Sequence, residues 1–202
     1  MSIPDLLSAD PLNIAGLEVS YRDDVELWNL YNRVQFEVAF TGAGRVFGIF
    51  VGGFEVSNLV GFSIWYEPGR GFLADDTQLR YWSNFAESLK PELKSWWTEE
   101  MLPRYNKLTD EGLGEGNKHN LLHLQVLGVH PGFQRQGLGS ALVKHRLSQS
   151  DADGVSTCLE TEDEDNLPFY KKLGYTIKAQ VLIPSPHGDF TTWCFYREAP
   201  TQ

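Results

Sequence analysis

The sequence predicts a mixed α/β fold, and three observations point there. Short runs rich in β-branched and aromatic residues alternate with segments whose apolar residues recur every three or four positions. Gly and Pro clusters separate these runs, and no internal repeat or low-complexity tract breaks the alternation. Length and composition suit one compact domain: 202 residues, 42% hydrophobic, 13% aromatic and 22% charged. A disordered, collagenous or coiled-coil chain is excluded on the same figures.

Taken in order, Leu17 to Tyr21 reads as a first strand. A helix is predicted from Asp24 to Val38, where Leu27, Leu30, Tyr31 and Val34 fall at helical spacing. Val46–Val51 and Leu59–Trp65 read as strands, with Gly52-Gly53 and Ser57-Asn58 as turn signals between them and Glu67-Pro68-Gly69 as the stop. Residues 71–117 form a helical insertion of two or three helices. Their aromatics Trp82, Phe85, Trp96, Trp97 and Tyr105 serve core packing, substrate contact or both, and Pro91 and Pro103 interrupt them. Gly112 to Gly116 is a flexible connection. Leu121–Val129 is a strand, Gln134–Gly139 a glycine-bearing loop, Gly139–Ser148 a helix and Val155–Glu160 a strand. A short helix from Leu167 to Leu173 and two closing strands, Tyr175–Ile183 and Thr191–Tyr196, complete the domain.

Charge and cysteine content bound the function. Twenty-seven acidic against seventeen basic residues leave a formal charge of −10, which argues against nucleic acid or an anionic membrane as partner. Cys158 and Cys194 are too few for a disulfide scaffold and lack zinc spacing, so both read as buried thiols in a reducing compartment. No apolar run approaches the roughly 18 residues of a membrane span, and the N-terminus lacks the basic and apolar regions of an export signal. A cytoplasmic protein is expected. The histidines lack metal-like pairing, so no metal site is expected.

The most informative segment is Leu127-Gly-Val-His-Pro-Gly-Phe-Gln-Arg-Gln-Gly-Leu-Gly-Ser140. It passes from an apolar strand, through a proline stop, into a loop with Gly137 and Gly139 that opens a helix. Such a loop turns consecutive backbone N–H groups toward one point, and the helix start adds unpaired donors and the positive end of its dipole. That is an anion cradle suited to a pyrophosphate. Between Gly116 and Ser150 there is no Asp or Glu, while Lys118, Arg135, Lys144, Arg146 and four of the five histidines lie there. The plainer reading of a Gly-x-Gly loop is a bend alone. A nucleotide P-loop needs a lysine after Gly139, and a dinucleotide fingerprint needs a glycine at Leu142; neither is present.

Gln134-Arg-Gln-Gly137-Leu-Gly139 resembles motif A of the GNAT superfamily of acetyl-CoA-dependent N-acetyltransferases, and Leu159-Glu-Thr with Asn166-Leu-Pro-Phe-Tyr-Lys-Lys-Leu-Gly-Tyr175 looks like its motif B. Within that superfamily, Trp193 and the Asn-x-Pro-Phe-Tyr helix look most like the puromycin-N-acetyltransferase-like fungal and bacterial branch. The resemblance implies a mostly antiparallel central sheet flanked by helices. It implies that backbone amides of Gln134, Arg135, Gln136, Gly137, Leu138, Gly139 and Ser140 hold the pyrophosphate of acetyl-CoA, that main-chain groups of Leu127 and Val129 meet the pantetheine arm, and that Tyr170 protonates the departing thiolate. Relatives place a cofactor-binding Asn seven residues before that Tyr, where this chain has Asp163. Asn166, four residues before it, is either a cofactor contact or a helix cap.

Direct transfer to an amine requires a base, because an alkylammonium with a pKa near ~10.4 has no lone pair to attack with. His123 and Glu160 are the candidates. His123 shares a strand face with Gln125 if the strand is regular. The strand is similar to that of serotonin N-acetyltransferases, which carry a histidine at the position of His123 and a second one where this chain has Gln125. The plainer readings are a hydrogen-bonded histidine near the sheet edge and an exposed strand carboxylate. The expected activity is transfer of an acetyl group to an amine, taken as a small molecule. A catalytically silent CoA-binding sensor is the alternative.

Overall fold

The computed structural model of the chain describes residues 11–17 and 24–200. One six-stranded sheet runs in the order β1-β2-β3-β4-β6-β5. These strands are β1 (Gly44–Phe50), β2 (Leu59–Tyr66), β3 (Leu122–Val129), β4 (Thr157–Thr161), β5 (Thr176–Ile183) and β6 (Phe190–Arg197). Only the β3–β4 pair is parallel; its neighbours are antiparallel. The helices are α1 (Pro11–Leu17), α2 (Val25–Val38), α3 (Asp76–Ser88), α4 (Pro91–Ser95), α5 (Leu102–Leu113), α6 (Leu138–Ala152) and α7 (Leu167–Lys172). The result is the mixed, mostly antiparallel sheet with flanking helices that the sequence predicts.

Side-chain alternation along the strands builds a core on each face of this sheet. Phe62, Ile64 and Tyr66 of β2 pack with Trp28, Val34, Phe85 and Trp97 from the N-terminal and inserted helices. Trp65, Leu122, Leu124, Leu159 and Phe195 pack on the other face with Val143 and Leu147 of α6 and Tyr170 of α7. α2 starts where Asp24 caps it, its carboxylate accepting from the Leu27 N–H at 2.8 Å.

The predicted strand at Leu17–Tyr21 needs correction. Leu17 ends helix α1, and residues 18–21 lie outside the described residues. Tertiary contact fixes this helix: the Gly16 carbonyl accepts from Trp97 Nε1 at 2.9 Å, and a Cβ at Gly16 would lie 2.5 Å from the Trp97 ring. In the insertion, α4 continues through a π turn, Trp96–Met101, into α5. Pro103 lacks an N–H, and the widened turn just before it lets the helix pass the proline without ending.

β3 carries the irregularity that positions the site. Its register with β2 shifts between Ile64 and Trp65: Trp65 faces Leu124 but Ile64 faces Val126, so Gln125 is an extra residue. Such a bulge exchanges the two sides of a strand. Before it, Leu122 and Leu124 pack on the α6 side; after it, Val126 packs on the α2 side and Leu127 on the α6 side. The regular strand assumed for His123 and Gln125 is therefore not observed.

Candidate active site

The parallel pairing of β3 with β4 covers only Leu122–Leu124 against Thr157–Leu159. Beyond it the strands part, and the β4-side backbone groups of β3 after Leu124 leave the ladder. A cavity of about 210 Å³ fills the gap. Leu124 to Leu127 and Glu160 to Glu162 line it from the sheet, Asn166 and Tyr170 from the turn before α7 and α7 itself. Tyr31, Asn32 and Gln35 of α2, with Trp82, Trp97 and Tyr105 of the insertion, supply the opposite wall. Among the described residues no Lys, Arg or His lines it. Of the insertion's aromatics, Trp97 belongs to the core and to the cavity wall alike.

Glu160 is the electrostatic centre of this site. Its side chain is 3% exposed, and its Oε2 accepts from Tyr105 Oη at 2.6 Å, from Lys118 Nζ at 2.9 Å and from His123 Nε2 at 2.9 Å. Lys118 also donates to Tyr105 Oη at 3.0 Å. α5 delivers Tyr105 because the helix lies close on the sheet two turns further on: a Cβ at Gly112 would sit 3.1 Å from Cys194 Sγ and 3.3 Å from the Ala179 Cβ. Cys194 is the β6 partner of Glu160. Burial alone raises the Glu160 pKa, but the Lys118 charge, His123 and the hydrogen bonds from His123 and Tyr105 outweigh it and hold the carboxyl below its usual range. Burial and the Lys118 charge push His123 below the ordinary histidine value against the pull of Glu160. With Glu160 ionised and His123 neutral, the imidazole donates through Nε2. The solvated strand carboxylate that Glu160 resembles in sequence is thus a buried, triply bonded anion, and His123 stands behind it rather than on the cavity wall.

Tyr170 is buried beside Phe169, Tyr175 and Phe195 and reaches the cavity from α7. Asn166 lines the cavity and precedes α7 without a side-chain capping bond; Asp163 caps the 3-10 turn Glu164–Asn166 before it, its carboxylate accepting from the Asp165 N–H at 3.0 Å. Of the two roles open to Asn166 in the sequence, side-chain capping is not the one observed.

The loop lies at the far end of β3. Arg135 (φ 61°) and Gly137 (φ 84°) are both left-handed, and α6 begins at Leu138 with its first helical bond from Ala141 N–H to the Gly137 carbonyl at 2.9 Å. The N–H groups of Leu138, Gly139 and Ser140 have no carbonyl of their own helix to donate to. Gln134 to Gly137 are exposed, so this donor cluster faces solvent. Gln134 folds back, donating from Nε2 to the Val129 carbonyl at 3.0 Å, which ties the loop to the strand. A Cβ at Gly137 would meet nothing within 4 Å; its glycine serves backbone conformation and leaves the approach open. The fourfold basic character of this stretch is halved in space. Lys118 pairs with Glu160, and Arg146 grips Glu67 through two bonds of 2.8 and 2.6 Å.

Two groups of residues at the site have partners that the sequence does not announce. Lys118 and Tyr105 converge on Glu160 only through the fold. Asn32 and Gln35 did leave a signal: they are polar residues on the buried face of α2, beside Trp28, Tyr31 and Val38. Among the described residues no helix is long and apolar enough to cross a membrane, and both cysteines are free and buried.

Comparison with known proteins agrees with this geometry. Residues 106–177 match the family model described as an acetyltransferase (GNAT) domain, a span that holds β3, the loop, α6, β4 and α7. Among solved structures, the chain is similar to a histone acetyltransferase HPA2 and related acetyltransferase from Corynebacterium glutamicum, at 16% identity over 99% of this chain and 88% of that one, with a TM-score of 0.62. It is also similar to arylalkylamine N-acetyltransferase 2 from Aedes aegypti, at 11% identity over 96% and 88% of the two chains, again with a TM-score of 0.62. At such identities the likeness is one of fold. The chain shares the fold of these acetyltransferases, and the match to the family model falls on the parted strands, the donor loop and the helix behind it.

Proposed function

We propose that the protein moves an acetyl group from acetyl-CoA directly to the amine of a small molecule, which enters the cavity between β3 and β4. The observation that carries this is the meeting of an ionised carboxylate, Glu160, and a phenol, Tyr170, on the wall of one cavity that no cationic side chain lines among the described residues. Its size supports a small acceptor. An apolar cavity of ~150 Å³ takes a benzene ring, so about 210 Å³ takes a ring and a short chain. The loop fits acetyl-CoA, since its open helix start and left-handed Arg135 and Gly137 offer donors to a double phosphate. Backbone groups of Gln134 to Ser140 hold the pyrophosphate, those of Leu127 and Val129 meet the pantetheine, and Asn166 reaches the cofactor from the opposite side. Within the superfamily, the likeness of Trp193 and the Asn166–Tyr170 helix supports the puromycin-N-acetyltransferase-like branch.

Each residue then has a task. Glu160 draws the ammonium into the cavity and, with His123 behind it, takes the proton that must leave nitrogen before attack. The C–N bond forms at the thioester carbonyl, whose oxygen gathers negative charge against the β3 backbone N–H groups freed by the parting of the strands. As the C–S bond breaks, Tyr170 gives its proton to sulfur, and the second proton on nitrogen restores the phenol. One acetyl group is transferred, one thiol is released and one net proton leaves. Release of CoA thiol in the presence of a panel of small amines tests the reading. Thiol release with one of them is expected; acetyl-CoA binding with no release across the panel contradicts it and leaves a CoA-binding sensor.

A further inference from the structure

In the proposed reaction Glu160 takes the proton of the ammonium, but its carboxylate is closed to the ligand. Oε2 already accepts from Tyr105, Lys118 and His123 at 2.6, 2.9 and 2.9 Å, which fills its lone pairs, and Oε1 is buried. With the side chain 3% exposed, a proton from the cavity reaches Oε2 only by way of one of its three donors. Lys118 and His123 stand behind the wall, and Tyr105 of α5 is the donor that lines the cavity.

A phenol can carry that proton. Its oxygen has one O–H to give and two lone pairs. Tyr105 spends the O–H on Glu160, in a short, charge-assisted bond, and one lone pair on Lys118 Nζ at 3.0 Å. One lone pair remains for a ligand. Burial first, then the charge of Glu160 beside it, hold the phenol well above its ordinary pKa, so Tyr105 does not store the charge of a lost proton and refills from the next donor. Lys118 Nζ over the ring, 4.7 Å from its centre, and the close seat of α5 at Gly112 keep the oxygen in place. We infer that Tyr105 is a catalytic residue: its oxygen takes a proton from the substrate ammonium while its own O–H proton passes to Glu160 Oε2. One N–H and one O–H bond break as an O–H bond forms on each oxygen. The amine is left neutral with its lone pair free, the phenol is restored and Glu160 becomes a carboxylic acid. After the amide has left, Glu160 returns the proton by the same phenol to water in the emptied cavity. Tyr105 thereby serves nitrogen as Tyr170 serves sulfur.

This inference deepens the acetyl-transfer reading and rests on it for the presence of the amine. Tyr105→Phe keeps the ring and leaves Lys118 and His123 on Glu160. CoA thiol release is measured at saturating acetyl-CoA and about pH 8 with phenethylamine, almost wholly a cation there, and with its β,β-difluoro counterpart, whose fluorines draw charge from nitrogen and leave it largely neutral. Where the panel favours another primary alkylamine, that amine and its β,β-difluoro form take their place. In the variant, kcat for the cationic amine is expected to fall roughly 10²-fold, and kcat for the difluoro amine, which has no proton to shed before attack, by less than about threefold. A merely structural lesion lowers both alike. Equal losses on the two amines, or no loss with the cationic one, overturn the inference and leave acetyl transfer standing. No thiol release by wild type with any amine overturns both. Should Tyr105→Phe fail to fold, the wild type decides: its solvent deuterium isotope effect on kcat is expected to be larger with the cationic amine than with the difluoro form, and equal effects overturn the inference.

Discussion

The donor loop at Gln134–Ser140 and the cavity around Glu160 are built on opposite principles. The loop is contiguous, exposed and made of backbone, so its function resides in two left-handed residues and a helix start. The cavity is buried and made of side chains from α1, α2, the insertion, β3, β4 and α7, with Tyr105, Lys118 and His123 brought to Glu160 from 55, 42 and 37 positions away. A contiguous backbone site tolerates change outside itself and is read by any relative that keeps the spacing. A side-chain site assembled over long range can be remodelled wall by wall, which lets one donor chemistry serve many acceptors.

The largest expected break is at Glu160. Glu160→Gln removes the anion that three donors share, and kcat/KM for the amine is expected to fall about 10³-fold in a thiol-release assay. Losing one partner of a buried ion pair also costs about 3 kcal/mol, visible in denaturant unfolding. Adding Lys118→Met should recover much of the stability and none of the activity. Full activity in the single variant would remove Glu160 from the mechanism. Tyr170→Phe comes next, with turnover down by about 10² and acetyl-CoA affinity held, as expected of a group that acts when the C–S bond breaks. Unchanged turnover under chemistry-limited conditions would cancel that assignment.

The glycines of the loop give a finer contrast. Gly137→Val forces a β-branched residue into left-handed backbone at a cost of about 1–3 kcal/mol, and acetyl-CoA binding should weaken by at least about tenfold. At Gly139 a Cβ would meet the Phe169 ring at 3.6 Å and Val129 Cγ2 at 3.7 Å, ordinary contact distances. Gly139→Ala should therefore be as stable as wild type or gain up to about 1 kcal/mol from helix propensity. Any loss of acetyl-CoA affinity there, measured by calorimetry, reports the ligand's approach and not the fold. A Gly139→Ala variant that unfolds early would contradict the geometry.

The smallest effect is in pH. Folded Glu160 titrates below its unfolded value of about 4.3, so its stabilisation is present above that value and fades as pH falls through the folded pKa. Folded His123 also titrates below its unfolded value of about 6.5, so the unfolded chain takes that proton first and stability again falls on the acid side. Both groups stay ready to accept a proton at neutral pH. After correction for the fraction of free amine, kcat/KM should be level between about pH 6.5 and 8; a step centred in that window would contradict the assignment.

How much was legible follows the same division. The Gln134–Gly139 loop and the helix that follows could be read because turn and helix start are consecutive residues. The α2 helix could be read from Leu27, Leu30, Tyr31 and Val34, and Asp24 does cap it. Leu17 was misread as strand because its helix is held by Trp97, eighty positions away. Glu160 has the same sequence neighbourhood as a solvated carboxylate, and only the approach of α5 at Gly112 buries it under Tyr105. Lys118 and Arg146 looked like part of a basic stretch beside the loop, but both are spent on carboxylates elsewhere. His123 and Gln125 lost their common face to a one-residue bulge that no local signal announces.

The central claim is that two separable sites, one of backbone and one of side chains, hold the two substrates. Acetyl-CoA affinity by calorimetry and amine KM by thiol release, measured together on Gly137→Val and on Lys118→Met/Glu160→Gln, test it most directly. The loop variant should weaken acetyl-CoA and leave the amine KM at saturating acetyl-CoA within about threefold, and the cavity variant should do the reverse. Parallel losses of both substrates in either variant would contradict the division.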